Sequence, residues 1–364
     1  MRTIISALIG ATAMAYNLDA KIPFYQREET TSTMRNGLTP IQVEVDGEQK
    51  TMYFTISGVQ QGTSDIQVPS NGRGYLAETP DLDMSNPKYW TPNLMGGSVE
   101  YDVDLSNHEC GCIATLYTVM MPGKKQDGSP WIETDGWGYC DAMQVGGNYC
   151  PEFDIMEANK WSWATTPHSC DSPSNGHYWN CDRGGDGQNI MNKLSWNGYG
   201  PGNQYTINTD KAFHVKLDIT SSSFTTTLTQ EGRTQSFGAN DGYVSRMADS
   251  ISGKMAFVTS NWYGDATWLW GDRCHGSCNM PTLTIKNLKV KTGGDVPPPP
   301  PTEYNWGQPC SSRTVGQCGD ACPSQDHCRW SWAKDDPQQW SGHTADCRCD
   351  VNTKAEVHQE FALV

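Results

Sequence analysis

The sequence predicts an all-β fold, a β-sandwich or barrel, followed by a small disulfide-rich module. Three observations carry this. Apolar residues recur with a period of two in several segments, and no long segment shows a helical stripe. Gly, Pro, Asn and Ser cluster between those segments, where turns are needed. A run of five prolines, Pro297 to Pro301, divides fourteen cysteines into eight before it and six after it, an even number on each side.

The elements follow in chain order. Met1-Arg2, the apolar run Ile4 to Ala11 and the small residues Ala13-Met14-Ala15 read as a secretory signal peptide over residues 1–15. The run is too short to span a bilayer, and no later segment approaches the ~20 apolar residues a spanning helix needs. A secreted protein with no membrane partner is expected. Ile41, Val43 and Val45 alternate, Asp46-Gly47 makes a tight turn, and Met52, Phe54 and Ile56 alternate again. Val99, Tyr101 and Val103 alternate with Glu100, Asp102 and Asp104, and Phe213, Val215, Leu217 and Ile219 form another stripe. Segments 113–121, 224–228, 255–258 and 283–290 look similar, some of them apolar on both faces. A large domain is expected over 16–293, a Pro-rich linker over 294–303 and a module over 304–364. The five prolines make a stiff spacer of about 15 Å.

Composition narrows the partners. Lys+Arg is 26 against 41 for Asp+Glu, and the resulting charge of −15 argues against nucleic acid. Charged residues are 18%, while Gly (36), Tyr (15) and Trp (14) are plentiful, which argues against disorder. A core of this size needs no metal or second subunit, so a monomer without cofactor is expected. Secretion makes the cysteines disulfide formers. A zinc site from Cys170, Cys181 and His168 or His177 is the rival, but its spacing matches no common zinc pattern.

The most informative stretch is Cys150-Pro151-Glu152-Phe153-Asp154-Ile155-Met156-Glu157-Ala158-Asn159. In a strand, Glu152 and Asp154 share a face, and Glu157 falls on the other unless one residue bulges out near Ile155 or Met156. Gathered on one cleft, such carboxyls suit a retaining glycosidase, which needs an ionised nucleophile and a protonated acid about 5–5.5 Å apart. Crowding raises the pKa of one member, as a general acid requires. Along an ideal strand the two glutamates lie about 13–16 Å apart, so curvature and side-chain length must close the gap. A solvated acidic edge strand is the alternative, and the spacing by itself favours neither. The surroundings tilt the balance: Cys140 and Cys150 bracket the approach, His168 follows closely, and Trp161, Trp163, Trp179, Trp262, Trp268 and Trp270 offer flat faces for sugar rings.

These residues resemble glycoside hydrolase family 7, the retaining cellulases. Glu152 to Asn159 is similar to that family's Glu-x-Asp-x-x-Glu-Ala-Asn strand. Tyr101 to Asn107, Leu116-Tyr117, Gly138 to Asp141, Thr166 to Cys170, Ser260 to Trp262, Trp268 to Arg273 and Gly276 to Cys278 resemble further family segments in the same order. The resemblance implies a β-jelly-roll sandwich with a substrate cleft. It implies Glu152 as nucleophile, Asp154 as the carboxyl that shares its proton, Glu157 as acid/base and His168 beside the acid/base. Tyr117, Asp141, Trp262 and Trp270 would line glucose subsites, with Arg273 on the product side. The implied disulfides are Cys140–Cys150, Cys170–Cys181 and Cys110–Cys278, leaving Cys112–Cys274 as an extra bridge. Met156 replaces a family Trp, Met143 stands where a polar substrate contact is usual, and the segment before residue 98 matches poorly. Tunnel-roofing loops are missing between Cys181 and Trp262, so an open cleft and internal cutting of a cellulose-like β-glucan are expected. A β-1,3- or mixed-linkage glucanase like family 16 is the enzymatic alternative; a non-catalytic glucan-binding wall or matrix protein is the other. In the module, Trp330, Trp332 and Trp340 are candidates for a glucan-stacking platform or for filling a small stapled core.

Overall fold

The computed structural model describes residues 38–55, 64–132, 135–195, 197–294, 328–331 and 346–349. The signal-peptide segment, Ile56, the proline run, Trp332 and Trp340 lie outside the described residues. In chain order the strands are β1 (Thr39–Val45), β2 (Glu48–Phe54), β3 (Ile66–Val68), β4 (Gly72–Ala77), β5 (Ser98–Val103), β6 (Cys112–Val119), β7 (Glu152–Ala158) and β8 (Trp163–His168). They continue with β9 (Gln188–Asn189), β10 (Tyr199–Gly200), β11 (Ile207–Asn208), β12 (Phe213–Ile219), β13 (Phe224–Gln230), β14 (Arg233–Ala239), β15 (Ala256–Tyr263) and β16 (Leu283–Lys291). In the C-terminal region β17 (Cys328–Ser331) pairs antiparallel with β18 (Asp346–Cys349). The α-helices are single turns, α1 (Ile190–Lys193), α2 (Ala248–Ile251) and α3 (Thr267–Trp270). Among the described residues no helix is long and apolar enough to cross a membrane.

Hydrogen bonding runs β14-β13-β12-β5-β16-β1-β2-β4-β15-β6-β7-β8-β9, with β3 added beside β16. The path folds into two layers. β14 through β2 form one layer and β4 through β9 the other, joined where Tyr53 and Phe54 pair with Ala77 and Leu76. The period-two stripes explain the packing. Val99, Tyr101 and Val103 of β5 and Phe213, Val215 and Leu217 of β12 point inward against Ala114, Leu116, Phe153, Trp163 and Phe257 from the facing layer. Phe153 meets Phe224 edge-on at 5.5 Å, and Trp163 meets Phe213 at 6.0 Å. Thr165 and Thr226 share a hydrogen bond of 2.9 Å across the gap, which satisfies these two buried hydroxyls.

The first hairpin turns as its sequence requires. Val45 pairs with Glu48, leaving Asp46 and Gly47 as a two-residue loop with φ of 54° and 83°, the conformation that lets a right-twisted hairpin close. The Asp46 carboxylate also accepts from the Thr292 amide and hydroxyl at 2.8 and 2.7 Å, tying the turn to the end of β16.

The layer containing β7 carries loops 121–149 and 169–187 at the end where β7 begins and β8 finishes. Disulfides Cys140–Cys150 and Cys170–Cys181 brace them, as the resemblance implied. The other two pairings are exchanged from expectation: the bridges are Cys110–Cys274 and Cys112–Cys278. The reason lies in the local path. Cys274 follows α3 into an apolar cluster with Ile113, Ala266, Leu269 and Trp270, where Cys110 waits. The chain then passes Gly111, where a Cβ would stand 2.7 Å from the Cys278 amide, which brings Cys278 to Cys112. The bridge Cys170–Cys181 also removes the thiolates that the rival zinc site would need.

Candidate active site

The strand β7 is irregular where the sequence asked for irregularity. On the β6 side Tyr117 pairs with Asp154 but Leu116 pairs with Met156, so Ile155 is an extra residue. On the β8 side the register also slips between Asp154 and Glu157. Ile155 and Met156 are both fully buried in the inter-layer core. Two successive inward side chains reset the alternation, and Glu157 returns to the face of Glu152 and Asp154.

That face is a compact acid cluster. Glu152 and Asp154 are buried and Glu157 is half-buried. One carboxylate oxygen each of Glu152 and Asp154 and one ring nitrogen of His168 lie within 4.8 Å of one another. His168 Nε2 is 3.1 Å from Asp154 Oδ2, so its hydrogen-bonded partner is the middle carboxyl. Its Nδ1 lies 2.8 Å from the Asp182 carbonyl oxygen. A carbonyl oxygen only accepts, so Nδ1 carries a hydrogen, and a further proton is held between Nε2 and Oδ2. The imidazole is closely seated. Gly185, at φ 56°, lies so near that a Cβ there would stand 2.7 Å from Nδ1 and 2.5 Å from the Pro167 carbonyl oxygen. Among the described residues Glu152, Asp154 and His168 are the group close enough to share a metal ion, but both ring nitrogens already have hydrogen-bond partners.

The electrostatics follow from crowding in a dry place. Burial raises the Glu152 pKa well above the carboxylate range, and the charges of Asp154 and Asp141 raise it further; His168 and the Ala142 amide oppose them. Burial and then Asp141 raise Asp154. Burial and then Asp154 raise Glu157, with His168 opposing. The cluster therefore retains protons at a pH where solvated carboxyls are ionised.

The neighbouring strands complete the floor. Successive partners Arg73 (β4), Ser260 (β15), Thr115 (β6) and Glu157 (β7) form one row across the sheet. Tyr75, Val258, Tyr117 and Asp154 form the next. Tyr117 is buried and shares a hydrogen bond with the Tyr139 hydroxyl at 3.2 Å; burial pushes its phenol up to about 12, so it stays neutral. The Arg73 guanidinium lies 3.6 Å above the Tyr139 ring. The Tyr75 hydroxyl bonds the Asp135 carboxylate. Arg73 and Tyr75 carry no motif in the sequence, and Tyr139 stands there only within the Gly138 to Asp141 segment, with no role of its own. Arg73 and Tyr75 sit in a short strand whose partner, β15, is far away along the chain, so no local pattern marks them.

Other expected residues land differently. Asp141 is buried beside Glu152, with its carboxylate turned into the protein. Trp262 is half-buried on β15. Trp270 is 4% exposed and packs with Cys110, Ala266 and Leu269, while the open indole of that turn is Trp268 at 54%. A helical turn of α3 points two tryptophans two residues apart to different sides, which explains the exchange. Arg273 donates to the Tyr199 carbonyl at 2.6 Å and lies 6.0 Å from the Tyr205 ring. Met143 is exposed and Met156 is buried. Trp330 belongs to β17.

Comparison with known proteins bears on the fold and the family. No family model matches the chain. Over 185 residues it is 31% identical to endoglucanase EG-1 of Trichoderma longibrachiatum, covering 44% of this chain and 38% of that protein. The chain thus spans about two fifths of the length of that relative. Over 311 residues, 72% of this chain and 70% of the other, it is 26% identical to endo-beta-1,4-glucanase celB of Emericella nidulans. The fold matches a solved endoglucanase I in complex with cellobiose at a TM-score of 0.57 and 16% identity, over 73% of this chain and 99% of that one. A GH7 family cellobiohydrolase from Daphnia pulex matches at 0.53 and 16%, over 73% and 99%. The architecture is the jelly-roll sandwich that the resemblance implied.

Proposed function

We propose that this chain, a divergent member of glycoside hydrolase family 7, cleaves internal β-1,4-glucosidic bonds of a cellulose-like β-glucan with retention of configuration. The observation that supports this is the gathering of Glu152, Asp154 and Glu157 on one face by the extra residue Ile155. Glu157 protonates the leaving glycosidic oxygen while ionised Glu152 attacks the anomeric carbon. Glu157 then takes a proton from water, which displaces Glu152 from the glycosyl-enzyme. Asp154, bonded to His168, holds a proton beside the nucleophile and so limits the negative charge gathered there. Tyr117, Trp262 and Arg273 border the sugar path. Residues 16–293 serve as the hydrolase domain, delivered outside the cell by residues 1–15. A linker over 294–303 joins it to a module over 304–364, where Trp330, Trp332 and Trp340 hold glucan.

The test is reducing-end release from carboxymethylcellulose, mixed-linkage β-glucan and laminarin by the full chain, with proton NMR of the first-formed anomer. Activity on carboxymethylcellulose giving the β-anomer first is expected, and Glu152→Gln should abolish it while leaving oligosaccharide binding. Preference for laminarin points instead to a β-1,3-glucanase. Binding without hydrolysis points to a glucan-binding protein, and an inverted first product overturns the two-step reaction.

A further inference from the structure

Asp141 is 4% exposed, and its carboxylate is committed to its own chain. Oδ1 accepts from the Met143 and Val145 amides, both at 2.9 Å. Oδ2 accepts from the Tyr139 hydroxyl at 2.8 Å. These use three of the roughly four acceptor positions a carboxylate has. The Asp141 carbonyl accepts from the Cys150 amide at 3.0 Å, and the Cys140–Cys150 disulfide closes the same loop. Between the two halves of this knot sits Ala142, whose amide donates to Glu152 Oε2 at 3.0 Å. The Asp141 side chain thus fixes the turn that aims this N–H, as short polar side chains fix turns two residues on.

We infer that Asp141 is a positioning residue for Glu152: it holds the Ala142 amide on one carboxylate oxygen so that the other faces the substrate, and it does not itself bind sugar. This rests on the nucleophile role given to Glu152 above. The Arg73 guanidinium over Tyr139 extends the support by one layer, since Tyr139 is the donor to Oδ2. A carboxylate released from an aimed amide turns about its side-chain torsions. Misplacement of a reacting group by about 1 Å costs on the order of 10²-fold in rate.

Three variants of the full chain test this: Asp141→Ala, Asp141→Asn and Tyr139→Phe. The readouts are steady-state kinetics on a chromogenic cellobioside, and the rate at which a 2-deoxy-2-fluoro-cellobioside bearing a good leaving group labels Glu152, followed by mass. Asp141→Ala should lower kcat and the labelling rate together by about 10²-fold, with KM held within about twofold. Asp141→Asn keeps an oxygen for the two amides and should recover at least about tenfold of that loss. It also removes a negative neighbour, so the acid limb of kcat/KM should move to lower pH. Tyr139→Phe deletes a single donor and should cost a few-fold; with Asp141→Asn it keeps the test decisive if Asp141→Ala does not fold. In a Glu152→Gln background, adding Asp141→Asn should leave the cellotetraose Kd within about twofold. A loss of binding of tenfold or more there identifies Asp141 as a sugar ligand and overturns the inference. Unchanged labelling in the Asp141 variants overturns it too, with the hydrolase reading intact. Failure of the unaltered chain to label at Glu152 removes both.

Discussion

Two Asp–His pairs in this molecule have nearly the same separation and opposite surroundings. Asp154 and His168 meet at 3.1 Å, each side chain 8% exposed, among further carboxyls on the inner cleft strands. Asp102 and His214 meet at 2.9 Å on β5 and β12, 36% and 40% exposed, with Glu100 and Lys216 nearby and water on one side. Distance is therefore a poor guide to chemical role. In water the outer pair is worth about 0–1 kcal/mol. In the cleft, desolvation keeps protons on carboxyls that water would have ionised, and a proton held there is available for work.

The contrast is broken most severely by Asp154→Ala. It should lower kcat/KM on a soluble β-glucan by about 10²-fold, whereas Asp102→Ala should alter it less than twofold. An equal loss from the two variants would show that burial is not what separates the pairs. Next in size is a buried imidazole outside the cleft. His108 is 1% exposed, and burial holds its pKa down at about 4. A depressed histidine contributes stability above its unfolded value near 6.5 and loses it as pH falls toward 4, about 3 kcal/mol over that window. His108→Leu should accordingly flatten the fall in Tm between pH 6.5 and 4, measured by calorimetry. The cleft carboxyls act in the opposite sense. Their raised folded pKa values make stability complete below about pH 4 and erode it as pH climbs. Glu152→Gln should therefore raise Tm at pH 7 and leave it nearly unaltered at pH 4; a chain this long gains about 1–2 °C per kcal/mol released. The smallest effect belongs to His214→Ala, which should shift unfolding by less than about 1 kcal/mol and fade in high salt.

Much of this is legible in the sequence. The stripe Ile41, Val43 and Val45 with the turn Asp46-Gly47 specified a hairpin because period and turn chemistry agree. The odd spacing of Glu157 from Asp154 named the place where a bulge would be needed, because only an extra residue returns an odd step to the same face, but it left open whether one forms. What stayed hidden depends on partners distant in the chain. Arg73 and Tyr75 gain their meaning from pairing with Ser260 and Val258. Cys110 and Cys112 are two residues apart, so spacing cannot choose which takes Cys274. Trp268 and Trp270 differ only in which side of one helical turn they occupy. Asp141 reads as a polar cleft residue until the amides of Met143 and Val145 are seen folded onto it.

The additional residue in β7 also makes the cluster an all-or-nothing device. Were the strand to slip by one position into uninterrupted pairing, Glu157 would swing into the apolar interior and Ile155 or Met156 would surface in its stead. Amide hydrogen exchange at those two residues thus becomes a gauge of how much of the population holds its outer acids on the same side.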